Sequence, residues 1–136
     1  MSDMTKEWLG VAYDDLLTIE EIKDNAHLTH IVAFHAQQCV EKSFKAILEN
    51  KNIEFPNIHK LIRLHKLIPI PIEISNFDFL TTLDKLYIDS RYPGDMGLLP
   101  YGKPTLEDAQ EFYEFAQDIF NQVCTILNID PEEVKK

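Results

Sequence analysis

The fold is decided by residues 28–51, which read LTHIVAFHAQQCVEKSFKAILENK. No glycine or proline interrupts this stretch, and its apolar residues recur every three or four positions, the period of an α-helix. The apolar residues are Val32, Ala36, Cys39, Val40, Phe44, Ala46, Ile47 and Leu48. They cover an arc too broad for one neighbour, so we expect a central helix that packs against several others.

The same period predicts four further helices. They are expected over about residues 5–24, 59–68, 75–90 and 105–127. Thr5 is a candidate N-cap of the first helix. The sequence Thr105-Leu106-Glu107-Asp108 has the pattern of a capping box at the start of the last helix.

Prolines and glycines separate the predicted helices. Pro56, Pro69 and Pro71 end helical patterns, and residues 91–104, with three prolines and three glycines, are predicted to form a loop. Residues 70–74 resemble a strand in composition, but a lone strand has no pairing partner, so we interpret them as an extended connection.

These elements predict an all-α fold, an up-and-down helical bundle of about five helices. The whole chain, residues 1–136, is expected to be a single domain with its core at about residues 5–128. Residues 129–136 are acidic and then basic, and we expect this tail to fray.

Acidic residues outnumber basic ones by 23 to 13, for a net charge of −10. That excess argues against a general nucleic-acid coat protein, because phosphates bind basic surfaces. Residues 51–104 nevertheless carry six acids and seven bases, including both arginines, Arg63 and Arg91. If the chain binds an anion, we expect the site there or at the basic positions of the preceding helix.

Several other classes of protein are disfavoured by missing motifs. No apolar run approaches the ~20 residues that span a bilayer, and residues 1–7 lack the features of a secretion signal, so we expect a cytoplasmic protein without membrane association. Neither a Gly-x-Ser-x-Gly nucleophile motif nor a glycine-rich phosphate loop is present.

The cysteines and histidines predict no metal or cofactor. Cys39 and Cys124 lie in apolar helical patterns and are interpreted as reduced core thiols, with a disulfide or redox pair as the alternative. The Glu-x-x-His motifs of carboxylate-bridged metal bundles do not occur.

A polar stripe on the second helix is the first candidate binding site. His35, Gln38, Glu41, Lys42 and Lys45 fall within one sector of about 120° at 100° per residue. Such a stripe can line a cleft beside the buried arc. The alternative is an ordinary solvated face on which Glu41 and Lys45 form an i,i+4 pair.

The second candidate follows the fourth helix. Arg91 at a helix C-terminus suits the helix dipole, which is a structural reason for an arginine there. The adjoining Tyr92-Pro93-Gly94 predicts a rigid turn that places an aromatic ring beside the guanidinium. Such a pair can stack on a base and bind a phosphate.

Taken in order, these segments resemble the HEPN family. The resemblance covers about residues 5–128 and is carried by Trp8, residues 12–16, 34–46, 59–61 and 87–93, Ala109 and Ala116. Its most specific parts are Ala36-Gln37-Gln38 with Glu41-Lys42, followed by Arg91-Tyr92-Pro93.

The resemblance implies a helical bundle that usually forms a homodimer and that accompanies small nucleotidyltransferases. It also implies a role in a toxin–antitoxin system. Many relatives are ribonucleases, often toxins of such systems, and their motif is an Arg followed by a His after four to six intervening residues. This chain cannot supply that spacing, because no histidine follows Arg91 and the only one after Arg63 is His65. We therefore predict no catalytic residue.

Three functions follow. The first is a non-catalytic module that binds a nucleotide or a nucleotidyltransferase partner. Its predicted ligand-binding residues are His35, Gln38, Lys42, Lys45, Arg91 and Tyr92. The second is a ribonuclease with a rearranged site that uses Arg91 with His35 or His59, and the third is a pure interaction subunit such as an antitoxin or scaffold.

Overall fold

The computed structural model describes residues 3–57, 59–89 and 102–134, with residues 3 and 89 described by their backbone only. Six α-helices and no β-strand occur in these ranges, which confirms the predicted all-α class. The helices are α1 (Asp3–Ile22), α2 (Thr29–Asn50), α3 (Leu61–Leu67), α4 (Asp78–Asp89), α5 (Leu106–Ile126) and α6 (Pro131–Val134), with a 3₁₀ turn at Ala26–Leu28.

Helix α2 is the central element of the bundle, as its broad apolar arc predicts. Fifteen of its 22 residues are buried, and it packs against α1, α3, α4 and α5. Val32, Ala36, Val40 and Phe44 are fully excluded from water and form the middle of the core. A polar side chain on the buried face of this helix must therefore find its partner inside the bundle.

The C-termini of α2 and α5 share one stop signal that the helical period does not reveal. Asn52 and Asn128 adopt left-handed φ angles of 56° and 57°. The next residues, Ile53 and Ile129, donate their N–H groups back to Leu48 and Cys124 at 2.9 Å. Each end is thus a Schellman motif in which asparagine takes the position that glycine usually holds.

The helix starts differ from the predicted ones in three places. Thr5 is wrong as an N-cap, because α1 already begins at Asp3 and Thr5 is fully buried within it. Helix α3 begins two residues later than predicted, and α4 begins at Asp78, whose N–H donates to Asn76 Oδ1. The capping box at Thr105 and Asp108 is confirmed in both of its hydrogen bonds.

The remaining segments are partly as expected. Residues 70–74 connect α3 to α4 as neither helix nor strand, and Gln122 on α5 holds this connection through hydrogen bonds with both backbone groups of Glu73. The expected fraying is wrong for residues 129–134, because Ile129 packs into the core and α6 follows it. Cys39 and Cys124 are free and buried, as predicted. No helix in the described ranges is long and apolar enough to cross a membrane.

Candidate functional site

The polar stripe of α2 is divided between two buried carboxylates. The first is Asp15 of α1, which is 6% exposed. His35 Nδ1 lies 2.8 Å from one of its carboxylate oxygens, and Lys42 Nζ lies 2.9 Å from the other. Two of the predicted ligand-binding residues therefore join α1 to α2, and both side chains remain about one-quarter exposed.

The second carboxylate, Glu41, belongs to α2 itself and is more deeply buried. Lys45 Nζ lies 2.9 Å from its Oε2, and His59 Nδ1 lies 3.0 Å from its Oε1. The amide nitrogens of Gln37 and Gln38 approach Oε1 at 3.3 and 3.5 Å. Glu41 is thus compensated by one lysine, one imidazole and two amides, as a buried charge requires.

Lys45 lies in the interior rather than on an open surface. Its side chain is 5% exposed, and its ammonium lies 5.2 Å from the centre of the Trp8 ring and 5.8 Å from that of Phe55. These cation–π contacts and the Glu41 ion pair occupy the charge. Lys45 can therefore act on a ligand only through Glu41 and its neighbours.

Gln37 and Asp84 are parts of this network that the predicted site did not include, although Gln37 belongs to the motif that carries the family resemblance. Gln37 Nε2 donates to the backbone oxygen of His59 at 2.7 Å and approaches Asp84 Oδ1 at 3.4 Å. Both Asp84 oxygens accept the Leu61 N–H, at 3.1 and 2.9 Å. Burial raises the pKa of Asp84 to about 6, against the opposing effect of the Leu61 N–H. Together these contacts fix the start of α3 against α2 and α4.

Four rings form a continuous row between the two carboxylates, which we call the ring row: His35, Phe34, Tyr87 and His59. Successive ring centres are 5.3, 5.2 and 5.5 Å apart, and Phe34 and Tyr87 are stacked with an angle of 20° between their planes. The row crosses from α2 to α4 and then to the segment before α3. Its His59 end is 47% exposed.

The two imidazoles at the ends of the ring row are held in the same way. A carboxylate only accepts hydrogen bonds, so Nδ1 of each ring carries the hydrogen. The Nε2 atom of the neutral ring is then an acceptor, and within the described ranges no hydrogen bond reaches it in either histidine. His35 and His59 can thus each accept a hydrogen bond from a ligand.

The described members of the predicted site lie on α2 in two groups. His35 and Lys42 share Asp15, whereas Gln38 and Lys45 lie at Glu41; Gln38 Nε2 also donates to Gln37 Oε1 at 2.7 Å. Arg91 and Tyr92 lie outside the described residues. In the sequence they follow Asp89, the last residue of α4, by two and three positions.

Comparison with known proteins identifies the family. The model of the HEPN domain matches residues 5–127 of this chain. The crystal structure of an archaeal HEPN homologue superposes with a TM-score of 0.68 and 31% sequence identity, covering 90% of this chain and 96% of the homologue. No curated protein matches the chain. With most of its length matched by the family and by a related structure, this chain belongs to the HEPN family.

Proposed function

We propose that this HEPN domain is a non-catalytic module that binds a nucleotide and works with a nucleotidyltransferase or in a toxin–antitoxin-type system. The observation that carries the nucleotide part is the ring row, which ends in two carboxylate-anchored imidazoles. The half-exposed ring of His59 offers a stacking surface to a base, and each free Nε2 can accept a hydrogen bond from an exocyclic amino group.

In this proposal the remaining predicted residues complete the site. Arg91, four positions after Tyr87, binds the phosphate, and Tyr92 adds a further stacking surface. Lys42 and Gln38 line the α2 side, and Lys45 positions His59 through their shared partner Glu41.

Calorimetric titration with ATP, GTP and AMP tests the nucleotide part. We expect at least one of them to bind, and His59→Ala and Arg91→Ala each to weaken binding by about tenfold. Lys66→Ala is the matched control, because Lys66 is exposed and outside the ring row. Lys42→Ala is a poorer test, since it would also leave Asp15 without its lysine. Absence of binding by all three nucleotides would contradict this part.

The partner part has separate tests. We expect a nucleotidyltransferase reading frame beside this gene and copurification of the two products. Copurification of an unrelated protein instead would favour a pure interaction subunit. We expect light scattering to show the homodimer that the family commonly forms, and the mass of a monomer would contradict this expectation.

A ribonuclease with a rearranged site is the second candidate, and the carboxylate-held imidazoles of His35 and His59 favour it. A metal-independent ribonuclease needs a group that exchanges protons near neutral pH beside a phosphate-binding cation, which Arg91 would supply. Cleavage of mixed RNAs that is lost in His35→Ala or in His59→Ala would support it. Intact RNA after long incubation would exclude it.

A further inference from the structure

A groove of about 450 Å³ lies between α3 and α4, apart from the ring row. Ile62, Thr81 and Ile88 contribute to its apolar wall, and Ile88 is 44% exposed. Thr81, Lys85 and Ile88 are spaced by four and three residues, so they share one face of α4. The groove therefore runs along about two helical turns, roughly 10 Å at 1.5 Å per residue.

Three cations, Lys60, Arg63 and Lys85, surround this apolar wall. All three are exposed, and within the described ranges none of them forms an ion pair. Two lysines of α2 are by contrast already paired, Lys42 with Asp15 and Lys45 with Glu41. In a chain of net charge −10, this groove concentrates unpaired positive charge.

Asp84, the one carboxylate among the described residues of the lining, does not neutralise the cations by direct contact. Both of its oxygens accept the Leu61 N–H, and Gln37 approaches one of them. Asp84 therefore joins the two walls of the groove, because it lies on α4 and holds the first residue of α3. This buried network gives the groove a fixed width before any partner arrives.

Apolar walls with a cationic rim match a protein segment better than a nucleic-acid backbone. A phosphate chain needs hydrogen-bond donors along its length, whereas Ile62 and Ile88 offer only hydrocarbon. An amphipathic helix places apolar side chains every three or four residues in such a groove, and its flanking acids reach the rim.

We infer that the α3–α4 groove binds an acidic amphipathic helix of a partner protein. The partner's apolar side chains pack on Ile62 and Ile88, and its carboxylates pair with Lys60, Arg63 and Lys85. This inference rests on the partner-binding part of the proposed function and names the chemistry of that partner. It requires no nucleotide.

A designed peptide is a direct probe. A capped acidic peptide of about 14 residues, with leucines at helical spacing and glutamates beside them, would be titrated into the full chain and followed by NMR and fluorescence anisotropy. Controls are a scrambled peptide of identical composition and a version with lysine for glutamate. We expect micromolar binding of the acidic helix alone, weakened by added salt because exposed charges are screened.

Matched charge reversals locate the site. Arg63→Glu with Lys85→Glu should weaken peptide binding by at least about tenfold, and Ile88→Ser by a few-fold. Lys51→Glu with Lys66→Glu changes the net charge equally at exposed positions outside the groove, and should have little effect. Thermal unfolding checks that each variant is folded.

Three results would overturn the inference. They are no peptide binding up to about 1 mM, equal weakening by the two charge-reversal pairs, and groove-dependent binding of a single-stranded RNA in place of the peptide. Nucleotide calorimetry on Arg63→Glu with Lys85→Glu keeps the proposals distinguishable. If the double variant loses peptide binding and keeps nucleotide binding, both proposals are supported. If the wild type binds a nucleotide but not the peptide, only the groove proposal is contradicted.

Discussion

Lys45 holds its ammonium 2.9 Å from the Glu41 carboxylate, one turn away along α2, with both side chains at most 5% exposed. An ion pair that is removed from water gains little net stability, because desolvation of two charges offsets their attraction. The pair nevertheless makes each partner dependent on the other. Loss of one charge would leave the other buried without compensation.

Lys45→Met should therefore destabilise the domain by about 3 kcal/mol, the scale for breaking a buried pair. Glu41 would keep its contacts to His59 and Gln37 but would lose its nearest cation. The double variant Glu41→Gln with Lys45→Met should recover much of this loss, because it removes both charges. Urea unfolding of the three proteins measures both effects.

The control for this pair is Lys66→Met, at an exposed position on α3. It should change the free energy of unfolding by less than about 0.5 kcal/mol, as surface substitutions usually do. Equal and small effects of Lys45→Met and Lys66→Met would show that Lys45 reaches water in solution.

This pair also shows how far the sequence could predict the site. Hydrophobic periodicity gives the helices and the buried face of α2, because it depends on spacing along one helix. It does not show what covers the polar stripe. Trp8 and His59 close over Glu41 and Lys45 from distant parts of the chain, so a spacing typical of a solvated pair belongs to a buried one.

The same limit applies to Asp15 and to the end of α5. The carboxylate that binds His35 and Lys42 comes from another helix, 20 and 27 positions away. Only the packing of α1 on α2 brings them together. The sequence around Asn128 is compatible with a frayed tail. In the structure, the left-handed conformation of Asn128 turns the chain so that Ile129 packs into the core.

Substitution of Asn52 should reveal the cost of its left-handed backbone. For most side chains other than asparagine or aspartate, such a φ angle raises the conformational energy by roughly 1 kcal/mol, whereas glycine adopts it without this strain. We expect Asn52→Ala to lower the free energy of unfolding by about 1 kcal/mol and Asn52→Gly to leave it unchanged or raised. The urea midpoints of the wild type and the two variants give their order of stability.

Asn121→Ala is the comparison, because Asn121 is exposed within α5. Alanine is the better helix former there, so this variant should be neutral or slightly stabilised. If Asn52→Ala behaves like Asn121→Ala, then α2 does not end in the left-handed turn in solution.

Both thiols should react slowly in the folded domain. Burial raises the pKa of Cys39 well above its ordinary value and that of Cys124 to about 11, so little thiolate forms at neutral pH. Cys39 is also fully enclosed in the core. We expect a chromogenic thiol reagent to modify neither cysteine quickly in buffer and both at once in denaturant. A fast native reaction would show that one thiol is accessible, and a failure to react in denaturant would show a disulfide.

Asp84 should give the domain a measurable pH dependence. Its pKa is about 6 when folded, against 3.8 without the protein environment, mainly because of burial. Between these values the folded state keeps a proton that the unfolded chain has lost, so the contribution of Asp84 to stability falls as pH rises through this window.

Asp84→Asn removes this titration but leaves an oxygen to accept the Leu61 N–H. The free energy of unfolding of the variant minus that of the wild type should therefore increase from about pH 4 to about pH 6 and stay constant above. Urea unfolding across this range measures the difference. The neighbouring charges Lys60 and Glu41 are present in both proteins, so their own effects on stability largely cancel. A difference that does not change with pH would place the folded pKa of Asp84 near its ordinary value.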